Sequence, residues 1–133
     1  MSQKNLDLLR RGYDHVARTG EWLPEAVHPE FVWDTTTLDF GINLQRCVGL
    51  DATNRWLAEW VEGFENWSLD VEETIDAEDQ VITVVRQQAN PRSGGPVVEM
   101  RFAQVWTFRD GLIARMDMYR DRDEAFAAAG LEK

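Results

Sequence analysis

The last third of the chain alternates apolar and polar residues with a period of two, which is typical of β-strands. In Val97–Phe108 one row of alternate residues is apolar and carries a single amide, Gln104. The glycine-closed turn Arg109-Asp110-Gly111 predicts a hairpin whose return strand is Leu112–Arg120. With this three-residue loop, the even-numbered residues of the return strand share the face of Gln104. We expect a concave apolar wall in which Gln104 needs a hydrogen-bond partner, because burying an amide unpaired costs about 1–3 kcal/mol.

The rest of the chain combines helical and strand-like periods. Apolar spacing predicts helices at Lys4–Thr19, Gly49–Glu65 and Asp121–Ala129. Strand-forming residues predict strands at Glu30–Thr36, Trp67–Ile75 and Gln80–Ala89. Turns or loops are expected in the segments Trp22–Val27 (a short turn or helix), Thr36–Val48, Ala77-Glu78-Asp79 and Asn90–Pro96. This order indicates an α+β domain in which helices cover one face of a curved, mostly antiparallel sheet.

Composition and charge narrow the class of protein. The chain of 133 residues corresponds to one domain. Its 24 acidic and 14 basic residues give a net charge of -10, which argues against a nucleic-acid partner. The apolar runs are too short to cross a membrane and MSQKNLDLL is unlike a signal peptide, so we expect a soluble, cytoplasmic protein with no membrane partner.

Few residues have the types and spacing of metal ligands. Cys47 is the single cysteine, which excludes an internal disulfide and a thiolate cluster within one chain. Neither His15 nor His28 has metal-ligand spacing. The alternating charges between Asp117 and Glu124 are expected to form exposed ion pairs and to stabilise a helix N-terminus. We therefore expect no metal and no cofactor.

Several motifs resemble one known superfamily across nearly the whole chain. They are NLDLLRRGYDHVARTGEW, HPEFVWD, GLDATNRWLAEWVEGF, RFAQVWTFRDGLI and YRDRDEAFAAAGL. The sequence is similar to the nuclear transport factor 2-like superfamily, the cone-shaped α+β fold of ketosteroid isomerase, limonene epoxide hydrolase and the SnoaL-like polyketide cyclases. The SnoaL-like branch is the nearest, and the resemblance implies that residues 1–133 form a single SnoaL-like domain.

The same resemblance implies a homodimer whose protomers each hold one deep hydrophobic pocket. The residues support a dimer through the outer sheet face, because one outward row is too apolar for a fully solvated face. That row consists of Val97, Ala103, Val105 and Ile113.

Residue by residue, the resemblance to ketosteroid isomerase is incomplete. Tyr13, seven residues before Gly20, matches the tyrosine that helps to form the isomerase's oxyanion hole. Gln104 stands where the isomerase has a protonated aspartate, and an amide cannot titrate. The proton-shuttling aspartate falls on Thr35, or on Asp34 if the alignment slips by one residue. We place Thr35 inward and Asp34 outward, which removes the base and argues against steroid isomerisation.

Comparison with the other enzymes of the superfamily also leaves few acids. In the epoxide hydrolases an Asp-Arg-Asp arrangement activates water, and Arg86 matches the arginine while Gln88 and Met118 replace the aspartates. The His/Asp pair of the SnoaL-like cyclases falls on Gln104 and either Met118 or Asp117. Asp117 is the one candidate base of this set, and alternation places it on the face opposite Met118, so that a pocket role requires a β-bulge.

Together these positions predict a pocket that is apolar except for a few polar groups. We expect it to contain Tyr13, Trp33, Trp56, Trp60, Arg86, Gln88, Phe102, Gln104, Met116 and Met118. Such a lining suits a flat hydrophobic molecule, aromatic or polyketide-like, with a carbonyl, hydroxyl or carboxylate that Arg86 could bind. In the alternative, Arg86 pairs with an acid such as Glu99, and the amides bond to each other or to buried water.

Three functions remain open. The first is binding of a small hydrophobic molecule, or a reaction of it that cannot be assigned. The second is a cofactor-free acid/base enzyme, such as an isomerase, cyclase, dehydratase or epoxide hydrolase, with Asp34 or Asp117 as base and Tyr13 as oxyanion donor. The third is a dimerisation module whose pocket is filled by its own side chains.

Overall fold

The chain folds as an α+β domain, as its hydrophobic pattern predicts. The structure is a computed structural model that describes residues 3–36, 45–77 and 80–130. Its elements in chain order are α1 (Gln3–Thr19), a 3₁₀ turn (Pro24–Ala26), β1 (Val27–Asp34), β2 (Arg46–Val48), α2 (Leu50–Glu62), β3 (Phe64–Ala77), β4 (Gln80–Pro91), β5 (Val98–Arg109), β6 (Leu112–Tyr119) and α3 (Arg122–Ala128).

One strand lies where a loop was predicted. Residues 46–48 of the aperiodic segment Thr36–Val48 form β2, which pairs with the end of β1 through Trp33 and Cys47. Three residues are too few to show a period, so the hydrophobic pattern could not reveal this strand. Residues 37–44 of that segment and residues 78 and 79 of the predicted acidic turn lie outside the described residues.

The six strands form one mixed, curved sheet in the order β2-β1-β6-β5-β4-β3. Only β1 and β6 pair in parallel among these strands, so the sheet is mostly antiparallel, as expected. Helices α1 and α2 cover its concave face, and α3 packs on the opposite, outer face. The concave face and the two helices enclose the larger hydrophobic core.

The hairpin between β5 and β6 differs from the prediction at its turn. The loop has two residues, Asp110 and Gly111, both with positive φ, and Phe108 lies opposite Ile113. A bulge at Ala114 then restores the predicted facing, in which Met116 and Met118 share the face of Gln104, and Gln104 lies opposite Met118. The prediction that Ile113 faces outward is therefore wrong, since its side chain is fully buried in the core.

A close contact between α1 and the core depends on glycine. Gly12 lies against Trp22, and a Cβ at this position would be 2.5 Å from the Cζ2 atom of that indole. Trp22 is buried and stacks on Trp106 at 4.9 Å between ring centroids. Only a residue without a side chain allows the helix to approach so closely.

The outer face of the sheet explains part of the apolar row that suggested a dimer. Ala103 and Val105 are buried beneath α3, whose Ala125 and Phe126 pack on them. Val97 is 56% exposed. Since α3 covers much of this row and Ile113 points into the core, the row does not by itself call for a second protomer.

Candidate functional site

A narrow pocket lies between the concave face of the sheet and helices α1 and α2. We call it the cone pocket. Its lining consists of Tyr13, Val16, Trp22, Trp33, Trp56, Leu57, Trp60, Trp67, Leu69, Gln87, Met100, Phe102, Gln104 and Met118. The cavity left at its centre is about 40 Å³, which is room for only a few water molecules.

The cone pocket has an aromatic wall made of tryptophans. Trp22, Trp33 and Trp106 contact one another, with ring centroids 4.9–6.1 Å apart. Trp33 also contacts Trp56, which stacks on Trp60 at 5.4 Å and an angle of 9°. Four of the six tryptophans are buried core residues, yet five of the six line the pocket. Binding of a molecule here would therefore change tryptophan fluorescence.

Four side chains form a hydrogen-bonded chain beside the cone pocket. The indole Nε1 of Trp106 donates to Thr83 Oγ1 at 3.0 Å, and Thr83 Oγ1 lies 2.8 Å from the Tyr13 hydroxyl. The Tyr13 hydroxyl donates to Gln104 Oε1. Because the Tyr13 proton goes to Gln104 and the Trp106 proton goes to Thr83, the Thr83 proton goes to Tyr13. Every hydroxyl in the chain thus has both a donor and an acceptor role.

Burial keeps the Tyr13 phenol neutral. Burial raises the pKa of this phenol far above the usual value of 10, although the hydrogen bond with Thr83 acts in the opposite direction. Burial dominates because the phenolate would lose its hydration. Tyr13 can therefore donate a hydrogen bond at neutral pH but cannot act as a base.

The amide of Gln104 is only half used by the protein. Its carbonyl accepts from Tyr13, whereas its Nε2 has no hydrogen-bond acceptor among the residues that the structure describes. Gln104 is buried and lines the cone pocket. Its two amide hydrogens are therefore available to a group that enters the pocket, as are the indole Nε1 donors of Trp22 and Trp33, which are buried without a partner among the described residues.

Gln87 is the polar lining residue that sequence reasoning missed. Its Oε1 accepts from Trp60 Nε1 at 2.7 Å and from Trp67 Nε1 at 2.9 Å. Gln87 pairs with Met100 in the sheet and is fully buried. Gln87 therefore fixes two indoles of the wall, and both lone pairs of its carbonyl oxygen are already used.

The structure contradicts the predicted pocket positions of Arg86 and Gln88. Both lie on the outer face of β4, where Arg86 bonds Asp70 Oδ2 at 2.9 Å and Gln88 donates to Glu99 Oε1 at 3.3 Å. The alternative, in which Arg86 pairs with an acid of the same chain, is correct, but its partners are Asp70 and Glu72 of β3 rather than Glu99. The error arose because both rows of β4 are apolar up to Val85, so alternation did not reveal which row faces inward.

The two candidate bases also lie outside the cone pocket. Asp34 and Asp117 are neighbours in the parallel pair of β1 and β6, and Arg115 bridges them with contacts of 2.9 Å to each. Asp34 also accepts two bonds from Thr36. Burial raises the pKa of Asp34, but the bonds from Thr36 and the charge of Arg115 outweigh it, so that the net shift is downward. The outward placement of both acids predicted from alternation is confirmed, and Asp34 is buried there rather than solvated.

The other predicted lining residues lie on the concave side. Trp33, Trp56, Trp60, Phe102 and Met118 line the cone pocket together with Tyr13 and Gln104. Met116 is an exception, because it is fully buried in the core between Trp33 and Trp106 and is not part of the lining. The binding role of these residues stays a prediction.

The described residues provide no group of ligands for a metal ion. No three histidine, cysteine, aspartate or glutamate side chains come together within residues 3–36, 45–77 and 80–130. In the same part of the chain, no helix is both long and apolar enough to cross a membrane.

Comparison with known proteins identifies relatives of the whole domain. A family model described as a SnoaL-like domain matches residues 9–116. TerC, co-crystallised with polyporic acid, has a TM-score of 0.74 at 21% identity, covering 96% of this chain and 98% of that chain. A putative SnoaL-like polyketide cyclase from Jannaschia sp. CCS1 has a TM-score of 0.70 at 21% identity, covering 98% and 94%.

A third relative also has a small molecule in its structure. It is a protein of ketosteroid isomerase-like fold from Catenulispora acidiphila in complex with trimethylamine, with a TM-score of 0.73 at 13% identity, covering 95% of this chain and 94% of that chain. No curated protein matches the chain. At these identities the solved structures show a shared fold.

Proposed function

Because the chain belongs to the SnoaL-like domain family, we propose that its cone pocket binds a small, flat, neutral molecule through a carbonyl or hydroxyl oxygen. The observation that carries this proposal is the Nε2 donor of Gln104, which has no acceptor among the described residues, in a lining whose other amide, Gln87, is already bonded and whose remaining side chains are aromatic or aliphatic. Apolar walls with a few placed polar groups are typical of small-molecule sites. Tyr13 holds the Gln104 carbonyl, so the amide presents its hydrogens in one fixed orientation.

The lining favours a neutral ligand over a carboxylate. Arg86, the cation expected to bind an anion, lies on the outer face. No Lys, Arg or His is among the residues that line the cone pocket in the described part of the chain. Burying a carboxylate without a partner costs several kcal/mol, whereas a ketone needs only one donor.

The same lining argues against proton abstraction by the protein. None of the described lining residues is a carboxylate or a histidine, and Tyr13 stays protonated. Asp34 and Asp117 are held by Arg115 on the opposite face of the sheet. The acid/base enzyme of our second hypothesis therefore lacks a base among these groups, and binding is the function we favour.

Two relatives support uptake of small molecules by this fold. TerC was co-crystallised with polyporic acid, and the Catenulispora acidiphila protein is described in complex with trimethylamine. In the present chain a two-ring molecule would need more than the central 40 Å³. Binding of such a molecule therefore requires half-buried lining residues, among them Trp60, Trp67 and Leu69, to move apart.

The proposal can be tested by titration with 2-acetylnaphthalene, followed through tryptophan emission. Naphthalene and 2-naphthoate serve as matched probes that lack the neutral acceptor. We expect the ketone to bind most tightly, and we expect Gln104→Met to weaken the ketone about fivefold, since one neutral hydrogen bond contributes about 1 kcal/mol. Gln104→Met should leave naphthalene within twofold, and the outer-face control Gln88→Met should change neither.

Failure of the proposal would be equally visible. If none of the three probes changes the emission at millimolar concentration, the cone pocket is not a binding site. If 2-naphthoate binds more tightly than the ketone, the proposed preference for a neutral ligand is wrong. If Gln104→Met weakens naphthalene as much as the ketone, the amide only supports the fold.

A second candidate is a homodimerisation module whose pocket is filled by its own side chains. The small size of the central cavity favours this candidate. The expectation of a dimer comes from the family resemblance. Light scattering at micromolar concentration tests the dimer, and a monomer there would exclude this candidate. A dimer that also fails to bind every apolar probe would favour it over ligand binding.

A further inference from the structure

A second cavity lies between α1 and the edge strand β3. We call it the α1 groove. It is lined by Leu6, Leu9, Arg10, Tyr13, Asp14, Ala17, Leu69, Val71, Thr74, Asp76 and Thr83. Its volume is about 490 Å³, compared with about 40 Å³ at the centre of the cone pocket. Of these two cavities, the α1 groove is thus by far the larger.

The groove arises from local geometry of β3. A bulge at Glu72 separates the pair Val71–Val85 from the pair Glu73–Val84 and bends the strand. The side chains that α1 turns towards this part of the sheet include the small Ala17. Val71 is 40% exposed and is one of three large hydrophobic side chains that remain exposed in the described residues. The groove therefore has an apolar floor that the described part of the chain does not cover.

The groove and the cone pocket are adjacent. Tyr13 and Leu69 line both cavities. The Tyr13 hydroxyl bonds Thr83, which lines the groove, and Gln104, which lines the cone pocket. The Tyr13 side chain is consequently the partition between the two spaces, held by one hydrogen-bond partner on each side.

The polar residues of the groove select against an acidic ligand. Two carboxylates, Asp14 and Asp76, line it against one cation, Arg10, which also bonds Asp7 at 3.2 Å. The whole chain carries a net charge of -10. A neutral or cationic group is therefore better accommodated there than a carboxylate, because like charges repel it.

We propose that the cone pocket and the α1 groove form one binding channel for an elongated, amphipathic molecule. Its flat apolar head occupies the cone pocket, its chain passes Tyr13 and Leu69, and its amino or hydroxyl end lies in the groove. This proposal rests on the proposed function and adds the shape and polarity of the ligand class. It also gives the part of the ligand beyond its flat head a place outside the small central cavity.

A series of 2-naphthyl ketones tests the channel. The head alone is 2-acetylnaphthalene, and its long-chain analogues carry an eight-carbon chain that ends in an amine, a hydroxyl or a carboxylate. We expect the amine and the alcohol to bind at least tenfold more tightly than the head alone, and the carboxylate to gain less than either. If the three long compounds bind no more tightly than the head, the channel is wrong, while the binding of the head still supports the proposed function.

Substitutions in the groove locate the chain of the ligand. Ala17 is exposed on α1 and lines the groove, so Ala17→Phe should fill it and reduce the affinity for the long amine to that of the head alone. Ala58→Phe is the matched control, because Ala58 is an exposed alanine of α2 outside both linings. If Ala17→Phe leaves the tenfold gain intact, the chain lies elsewhere and the proposal is overturned.

Discussion

The buried position of Gln87 leads to a sharp test of the inner face of β4. Its Oε1 accepts from the indoles of Trp60 and Trp67 at 2.7 and 2.9 Å. Gln87→Met keeps the length of the side chain but removes this acceptor. Both indole N–H groups then lose their partner, while the sulfur of the new side chain is a poor acceptor.

The expected cost follows from the burial of these indoles. Leaving a buried donor unpaired costs about 1–3 kcal/mol. Trp60 and Trp67 are half-buried, so we take the lower limit for each donor and expect a loss of about 2 kcal/mol in the free energy of unfolding. With a urea dependence of about 2 kcal/mol per molar, the midpoint should fall by about 1 M.

Equilibrium unfolding in urea, followed by tryptophan emission, measures this loss. Gln88→Met is the matched control, since Gln88 is the next residue on the same strand and lies on the outer face beside Glu99. It should change the unfolding free energy by less than about 0.5 kcal/mol, as surface substitutions usually do. Equal effects of the two substitutions would refute the assignment of Gln87 to the inner face.

Three further outcomes are expected. Gly12→Ala should lower the free energy of unfolding in urea by about 1–2 kcal/mol, because the new Cβ would lie 2.5 Å from Trp22 and this clash exceeds the gain in helix propensity. Gly63→Ala is the control and should not destabilise the fold, since its Cβ would meet its nearest atom at 3.8 Å. Asp34→Asn should destabilise the fold at pH 7, and the difference from the parent protein should vanish as the pH falls. The reason is that the pKa of Asp34 is lowered in the folded state, so its carboxylate stabilises the fold above the ordinary aspartate pKa. This contribution is lost as the pH falls through the folded-state pKa, which chemical unfolding at several pH values measures. Because the pKa of Tyr13 is raised in the folded state, its contribution to stability should be fully present below pH 10 and be lost above it, where tyrosine ionises in the unfolded chain. In thermal melts, Tyr13→Phe should therefore reduce the fall of the melting temperature above pH 10.

Much of the fold follows from period and turn chemistry. The long strands β5 and β6 have the two-residue alternation that sequence reasoning detects best, and a strong positive-φ pair, Asp110 and Gly111, closes them. The bulge at Ala114 compensates for the wrong loop length, so the prediction that Met116 and Met118 share the face of Gln104 is correct although the pairing register differs. The short β2 has too few residues to carry a signal.

The site was harder to predict than the fold because it depends on facing. Helices α1 and α2 cover the inner row of β4, and α3 covers part of its outer row. Val81 of the inner row and Ile82 of the outer row are therefore both fully buried. With both rows apolar, Arg86 and Gln88 are predicted to face inward, whereas the structure places them on the outer face and Gln87 on the inner one. The pairing of β3 with β4 brings Arg86 opposite Asp70. A charge on Arg86 with an opposite charge available on the neighbouring strand could have indicated the outer face, since such cross-strand pairs are typical of a solvated sheet face.

The distribution of charge over the sheet is the reason we expect the cone pocket to favour a neutral ligand. The described ion pairs around Arg86, Arg101 and Arg115 all lie on the outer face, whereas the cone pocket is lined by uncharged side chains. A charged ligand would lose its hydration there without a partner, and the loss is larger than one hydrogen bond can offset. Binding of a neutral ligand should in consequence be independent of pH between 5 and 9, because no described lining group titrates in that range. A Kd for 2-acetylnaphthalene that changes more than threefold across this range would show that a titrating group contacts the ligand, and would reopen the acid/base alternative.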